Sequence, residues 1–213
     1  MRGEHAPASI SKMTIMKIKH MIAVSLLLLT GIRTANAVEW QMKQGPMMTP
    51  WSETLDPENV LGEYPRPQME RQEWMNLNGI WDLRKAIQDE AYSPDFIYDK
   101  KILVPFPLES AISGVMEESD NQCYWYRRTL TIPESMKGKN ILLHFDAVDW
   151  EAIVYVNGKK VGKHTGGYDP FYFDITSALK QDGEQELAVY VRDNTGAEGQ
   201  PKGKQALNKW GCW

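Results

Sequence analysis

Residues 150–164 read WEAIVYVNGKKVGKH. The run WEAIVYV is rich in β-branched and aromatic residues, and a second short run follows Asn157-Gly158. Asn-Gly between two such runs is the strongest short hairpin signal, because a type I′ turn needs positive φ at both central residues. The stretch therefore predicts two antiparallel strands joined by a two-residue turn. Working outward, the same kind of run recurs at 79–83 (GIWDL), 101–106 (KILVPF), 123–132 (CYWYRRTLTI), 140–145 (NILLHF), 171–175 (FYFDI) and 186–192 (ELAVYVR). Turn residues separate the runs. Only short helical turns fit between them, such as residues 176–179, capped by Thr176 or Asp174. Six to eight short strands with no room for crossover helices exclude a parallel α/β sheet. The expected fold is all-β, an antiparallel β-sandwich or jelly roll.

The chain has 213 residues, 42% hydrophobic and 24% charged, with a net charge of -4. That fits one globular domain with a short appendage. An acidic balance argues against a nucleic-acid binder, which carries a basic face. Eight Trp and nine Tyr outnumber five Phe. Amphipathic rings suit a wet binding surface, although sheet packing is their commoner use.

The N-terminus has its own pattern. Residues 21–32 read MIAVSLLLLTGI, too short to span a bilayer. Lys17, Lys19 and His20 precede this run, and Ala35-Asn36-Ala37 follows it. A basic region, an apolar core and a small-x-small site together predict a secretory signal peptide cut after Ala37, hence export to the periplasm or the medium. No membrane span is expected after cleavage. Losing 1–37 takes the net charge from -4 to -8. Residues 38–67 are rich in Pro and Met and predict an extended lead-in over the domain. The patterned domain then occupies 68–213. Export permits disulfides, and only Cys123 and Cys212 are present; whether they pair stays open.

A search for chemistry finds little. His144 and His164 are the two histidines beyond residue 37, and neither has a metal-ligand spacing. There is no Gly-x-Ser-x-Gly elbow, phosphate loop or dinucleotide fingerprint. The doublets Asp89-Glu90 and Glu117-Glu118 read as solvated loop residues. Asp146 and Asp149 flank a strand turn, where Asp often binds its own backbone. No metal site and no cofactor are expected.

Several motifs, taken together, resemble the N-terminal domain of family 2 glycoside hydrolases. They are NLNGIWD at 76–82, VPFP with Glu109-Ser110 at 104–110, YWYRR at 124–128, and FDAVDW through VNG at 145–158. GGYDPF at 166–171 with FDIT at 173–176, LAVYVRD at 187–193, and PKGKQ at 201–205 complete them. Each is weak alone; seven in the family's order are specific. The likeness is strongest to the β-galactosidase-like branch. It implies a galactose-binding-like jelly roll that supports a catalytic barrel and lines one side of its sugar pocket.

The resemblance also implies a boundary. In the family the barrel carries the catalytic Glu pair, one member in an Asn-Glu dipeptide, and this sequence has no such dipeptide. The expectation is therefore a fragment with incomplete C-terminal strands, no catalytic residue of its own and no glycoside hydrolysis alone. Its partners would be a β-galactoside-like carbohydrate and the missing catalytic domain. By resemblance, Asp193 reaches the sugar, with a loop-capping role as the alternative. Glu109 and Ser110 lie on the other segment that approaches the barrel mouth. A stand-alone carbohydrate-binding module and an inactive remnant are the rival readings.

Overall fold

The structure is a computed structural model that describes residues 38–46, 48–118, 122–194 and 200–201. The signal-peptide reading, the PKGKQ loop beyond Pro201, the C-terminal strands and Cys212 lie outside the described residues. Eight strands follow in chain order: β1 (Gly79–Lys85), β2 (Lys100–Val104), β3 (Cys123–Thr131), β4 (Leu142–Phe145), β5 (Glu151–Val156), β6 (Lys159–Thr165), β7 (Phe171–Asp174) and β8 (Glu184–Arg192). Helix among the described residues is limited to one turn, α1 (Pro50–Glu53), and short 3-10 turns at Pro67–Met69, Glu134–Met136 and Thr176–Ala178. Asp174 Oδ1 accepts from the backbone N–H of Thr176 at 2.9 Å, which fixes entry into the last of these turns.

The strands form a six-stranded antiparallel sheet in the order β2-β1-β3-β8-β5-β6 and a two-stranded sheet β4-β7. This is the all-β sandwich that the strand spacing predicts. The Asn-Gly turn is as expected: Asn157 has φ 50° and Gly158 φ 77°. Asn157 also anchors the turn. Its Nδ2 donates to Ala178 O at 2.9 Å and to Gln185 Oε1 at 2.8 Å, and its Oδ1 accepts from Glu186 N at 2.9 Å.

Side chains alternate across the large sheet with period two. Trp81 and Leu83 of β1, Ile102 of β2, Ala152, Val154 and Val156 of β5, and Leu187 and Val189 of β8 face inward, toward Leu143 of β4. Gly162 of β6 lets the layers close: a Cβ there would stand 2.1 Å from the Phe173 ring of β7. The opposite face is also covered. Trp125 and Tyr190 are 0% and 1% exposed beneath Tyr92, Phe96 and Tyr98, which come from the β1–β2 connection. Arg84 lies 4.2 Å over the Phe96 ring, and Arg127 lies 4.2 Å over the Tyr98 ring. Trp125 Nε1 donates to Glu90 Oε2 at 2.9 Å. Burial holds the Tyr98 hydroxyl up to about 12.

The lead-in differs from a purely extended segment. It contains α1, buries Val60 to 1% exposure and is tied down by hydrogen bonds. Trp40 Nε1 donates to Ser113 O at 2.7 Å, and Asn76 Nδ2 donates to Val60 O at 2.8 Å. Arg128 Nη1 donates to Leu77 O at 2.9 Å and Asn78 O at 2.8 Å, holding the entry to β1.

Candidate functional site

One end of the large sheet gathers the start of β3, the start of β5, the end of β6 and the end of β8. The β5–β8 register pairs Glu151 with Arg192. One step further, Trp150 N donates to Arg192 O at 3.3 Å, which brings residues 149–150 beside Asp193. Asp193 N donates to Gln122 O at 2.9 Å, so the Asp193 backbone is fixed from the β3 side as well. Gln200 is 8% exposed, and its Nε2 donates to Asp193 Oδ1. Asp193 is thus a carboxylate held at a strand end by an ordered framework.

The turn after β6 roofs this end. Gly166 has φ +133°, and its N–H donates to Trp150 O at 2.8 Å. A Cβ at Gly167 would stand 2.4 Å from Asp149 Oδ1, so only glycine fits under that approach. His164 stacks on Phe171 with ring centroids 4.1 Å apart. Asp149 Oδ1, His164 Nε2 and Gln200 Oε1 are buried without a hydrogen-bond partner. Burial, and then the charge of Asp193, raises the Asp149 carboxyl above its ordinary 3.8. The sequence pattern assigns Asp149 to a turn that binds its own backbone; instead its Oδ1 is unpartnered and sits beside another acid. Asp146 is an ion-pair residue, accepting from Arg66 Nη2 at 3.2 Å.

Glu109 and Ser110 follow β2 in a segment that folds back on itself, where Glu117 N donates to Leu108 O at 3.4 Å. Ser110 works within its own turn: its Oγ donates to Pro107 O at 2.8 Å and accepts from Ser113 N at 3.2 Å. Glu109 is exposed, and its charge acts on the Tyr126 hydroxyl.

The two acidic doublets are less solvated than their sequence suggests. Glu90 accepts from Arg84 at 2.8 Å and from Trp125. Glu117 bonds to Lys100 and, at 2.6 Å, to Lys85. Those two ammonium groups hold the Glu117 carboxyl below its ordinary 4.5. His144 faces outward beside Tyr172 on the small sheet. Partial burial, then Arg66 and Arg71, hold it below the usual 6.5. Among the described residues no cluster of three or more His, Cys, Asp or Glu is placed to hold a metal ion, and no helix is long and apolar enough to cross a membrane.

The residues that sequence reading missed are Asp149, His164 and Gln200. Asp149 and His164 become neighbours of the Asp193 end through strand register, and Gln200 through its side-chain bond to Asp193, and no local pattern marks them.

Comparison with known proteins follows the same lines. Residues 97–212 match the family described as "Glycosyl hydrolase 2 galactose-binding domain-like". A β-galactosidase of Thermoanaerobacter pseudethanolicus is 35% identical over 133 residues, covering 61% of this chain and 18% of the relative. A β-glucuronidase of Formosa agariphila is 37% identical over 86 residues, 39% of this chain and 9% of that protein. A β-glucuronidase structure from Ruminococcus gnavus superposes with a TM-score of 0.51 at 19% identity, over 62% of this chain and 23% of that one, and shares the fold. The chain therefore spans less than a fifth of the length of these two curated relatives. With the family matched over more than half of its residues and the sandwich in place, the chain belongs to the galactose-binding-like domain family of the family 2 glycosyl hydrolases.

Proposed function

We propose that this chain is the N-terminal, non-catalytic module of an exported β-galactosidase-like glycoside hydrolase. It supports the catalytic domain and contributes one side of the sugar pocket through Asp193. The observation that carries this reading is the mounting of Asp193. Its backbone N–H donates to Gln122 O, just before β3, and its carboxylate receives the Gln200 amide. Strand ends on a rigid sheet are where side chains are best presented to a neighbouring domain. A carboxylate there accepts hydrogen bonds from sugar hydroxyls, and a hydrogen bond to a charged group is worth about 1.5–3 kcal/mol. Glu109 and Ser110 belong to the same reading as the second segment toward the catalytic domain. Aromatic stacking by residues 124–126 gains no support, because Trp125 is 0% exposed.

The test joins residues 38–213 to a compatible family 2 catalytic domain and compares kcat/KM on an aryl β-galactoside with and without Asp193→Asn. The contact energy corresponds to a loss of roughly 10- to 150-fold. Equal kcat/KM with a lower melting temperature would make Asp193 a loop cap. The chain by itself is expected to show no hydrolysis of aryl β-galactosides or β-glucuronides above background. Turnover that co-purifies with the folded chain and vanishes on denaturation would refute the non-catalytic reading.

A further inference from the structure

We propose that Asp149 and Asp193 share one proton in the folded chain at mildly acid pH, donated from Asp149 toward Asp193, making Asp149 the residue that positions Asp193. The first ground is the meeting of strand ends. The Trp150 N to Arg192 O bond extends the β5–β8 ladder past its last register pair and sets Asp149 next to the Asp193 strand end. The second is enclosure. The Gly167 backbone lies so close to Asp149 Oδ1 that a methyl group would not fit, and this oxygen is buried with no hydrogen-bond donor. A bare carboxylate oxygen shut away from water and donors is unfavourable, and the usual outcome is that the group keeps its proton.

The third ground is Gln200. Its side chain is 8% exposed, it already donates to Asp193, and its own Oε1 lacks a partner. Gln200 thus brings one donor and one further acceptor to this end. The neighbouring charged and titratable groups come from β5, β6, β8 and the roofing turn. Glu151 on β5 is occupied by Lys163 of β6 at 2.5 Å. His164 of β6 has its Nε2 buried and unpartnered, and Asp169 of the roofing turn adds another acid near Gly166. Arg192 of β8 pairs with Glu151 in the ladder, falls in step with Tyr190 and Ala188 along the strand, and has partners of its own. The electrostatics agree: burial first and Asp193 second push Asp149 upward. Two adjacent acids of which one stays neutral are a donor and an acceptor, and that pairing orients the ionised partner.

The importance of this proton to the sugar pocket rests on the proposed role of Asp193, but the proton itself is read without sugar. The experiment is an NMR titration of the chain labelled with 13C at the Asp carboxyls, from pH 3 to 8. The Asp149 midpoint is expected above the ordinary 3.8, and in Asp193→Asn it moves back down toward that value. Asp149→Asn keeps an uncharged donor in place. Its melting temperature relative to the wild type is therefore expected to climb as pH rises from 3 to 7, because only the wild type loses stability by being forced to ionise. An Asp149 midpoint at or below 3.8, a midpoint indifferent to Asp193→Asn, or a melting difference flat with pH each overturns the inference. Should Asp193→Asn not fold, the wild-type midpoint and the Asp149→Asn melting series decide alone. An unchanged kcat/KM for Asp193→Asn in the joined enzyme, alongside a raised Asp149 midpoint, would sink the sugar role and leave the proton standing.

Discussion

Asn157 is the residue at which the hairpin signal of the sequence becomes a load on the structure. Replacing it with Ala removes three hydrogen bonds, to Ala178 O, to Gln185 Oε1 and from Glu186 N. At a net value near 1 kcal/mol each, the loss is about 3 kcal/mol. Gln185 is 2% exposed, so its Oε1 loses a partner that water cannot easily replace. Lys180 N still donates to it at 2.8 Å, which keeps the penalty from rising further. The φ of 50° is strained for any residue that carries a Cβ, Asn157 included, so Ala keeps that cost and Gly relieves about 1 kcal/mol of it. Asn157→Ala is thus expected to lose about 3 kcal/mol, and Asn157→Gly about 2, since glycine relieves the φ but makes none of the bonds. For a domain of this size 1 kcal/mol moves the melting temperature by about 2–4 °C. The assay is calorimetric or circular-dichroism melting of the two variants beside the wild type. If both melt within about 2 °C of the wild type, or if Ala and Gly melt together, the side-chain bonds or the turn strain are misjudged.

Other expectations follow from the same contacts. Trp125→Ala opens a cavity under the β1–β2 connection and is expected to lower stability by about 3–5 kcal/mol in urea denaturation, with no change in Asp149 titration. Gly167→Ala drives a methyl into Asp149 Oδ1 and is expected to shift the Asp149 carboxyl resonance while leaving the far-ultraviolet spectrum of the sheet intact. Glu117 is held below 4.5 by Lys100 and Lys85, so its contribution is full above the unfolded value and is lost as pH falls through the lower folded one. Glu117→Gln should therefore melt closest to the wild type at acid pH and fall behind it as pH rises. On the proposed export, mass spectrometry of the mature protein is expected to find Val38 at the N-terminus; a retained leader would contradict the proposed cleavage after Ala37.

Much of the sandwich is legible in the sequence because strands announce themselves locally. β5 and β6 follow from two apolar runs and Asn157-Gly158, and β8 from the run LAVYV. The split into six strands and two is not legible, since it depends on which strands pair over long separations. The β1–β2 connection is the clearest case of hidden structure. Residues 86–99 have no period and many polar residues, yet Tyr92, Phe96 and Tyr98 close a second core. That segment reads as loop because its order comes from a tertiary contact with Trp125, not from its own pattern. The candidate site divides the same way. Asp193 is placed by a strand end visible in sequence. Asp149 and His164 join it because β5, β6 and β8 share one register, and Gln200 through its side-chain bond to Asp193, information that no single segment contains.

The coat over the outer face of the large sheet has a consequence for how the molecule opens. β3 and β8 are shielded on both sides, by Trp81 and Val189 neighbours within and by Tyr92, Phe96 and Tyr98 without. Their amides are expected to exchange with solvent only through global unfolding, whereas those of the four-residue strands β4 and β7, with Tyr172 61% exposed, need only local opening. Amide exchange should therefore recede inward in a fixed sequence, from the small sheet to the β3–β8 pair. The strand that carries Asp193 at its tip would then be the last to let go, so that the rim of the molecule can breathe while this carboxylate keeps its address.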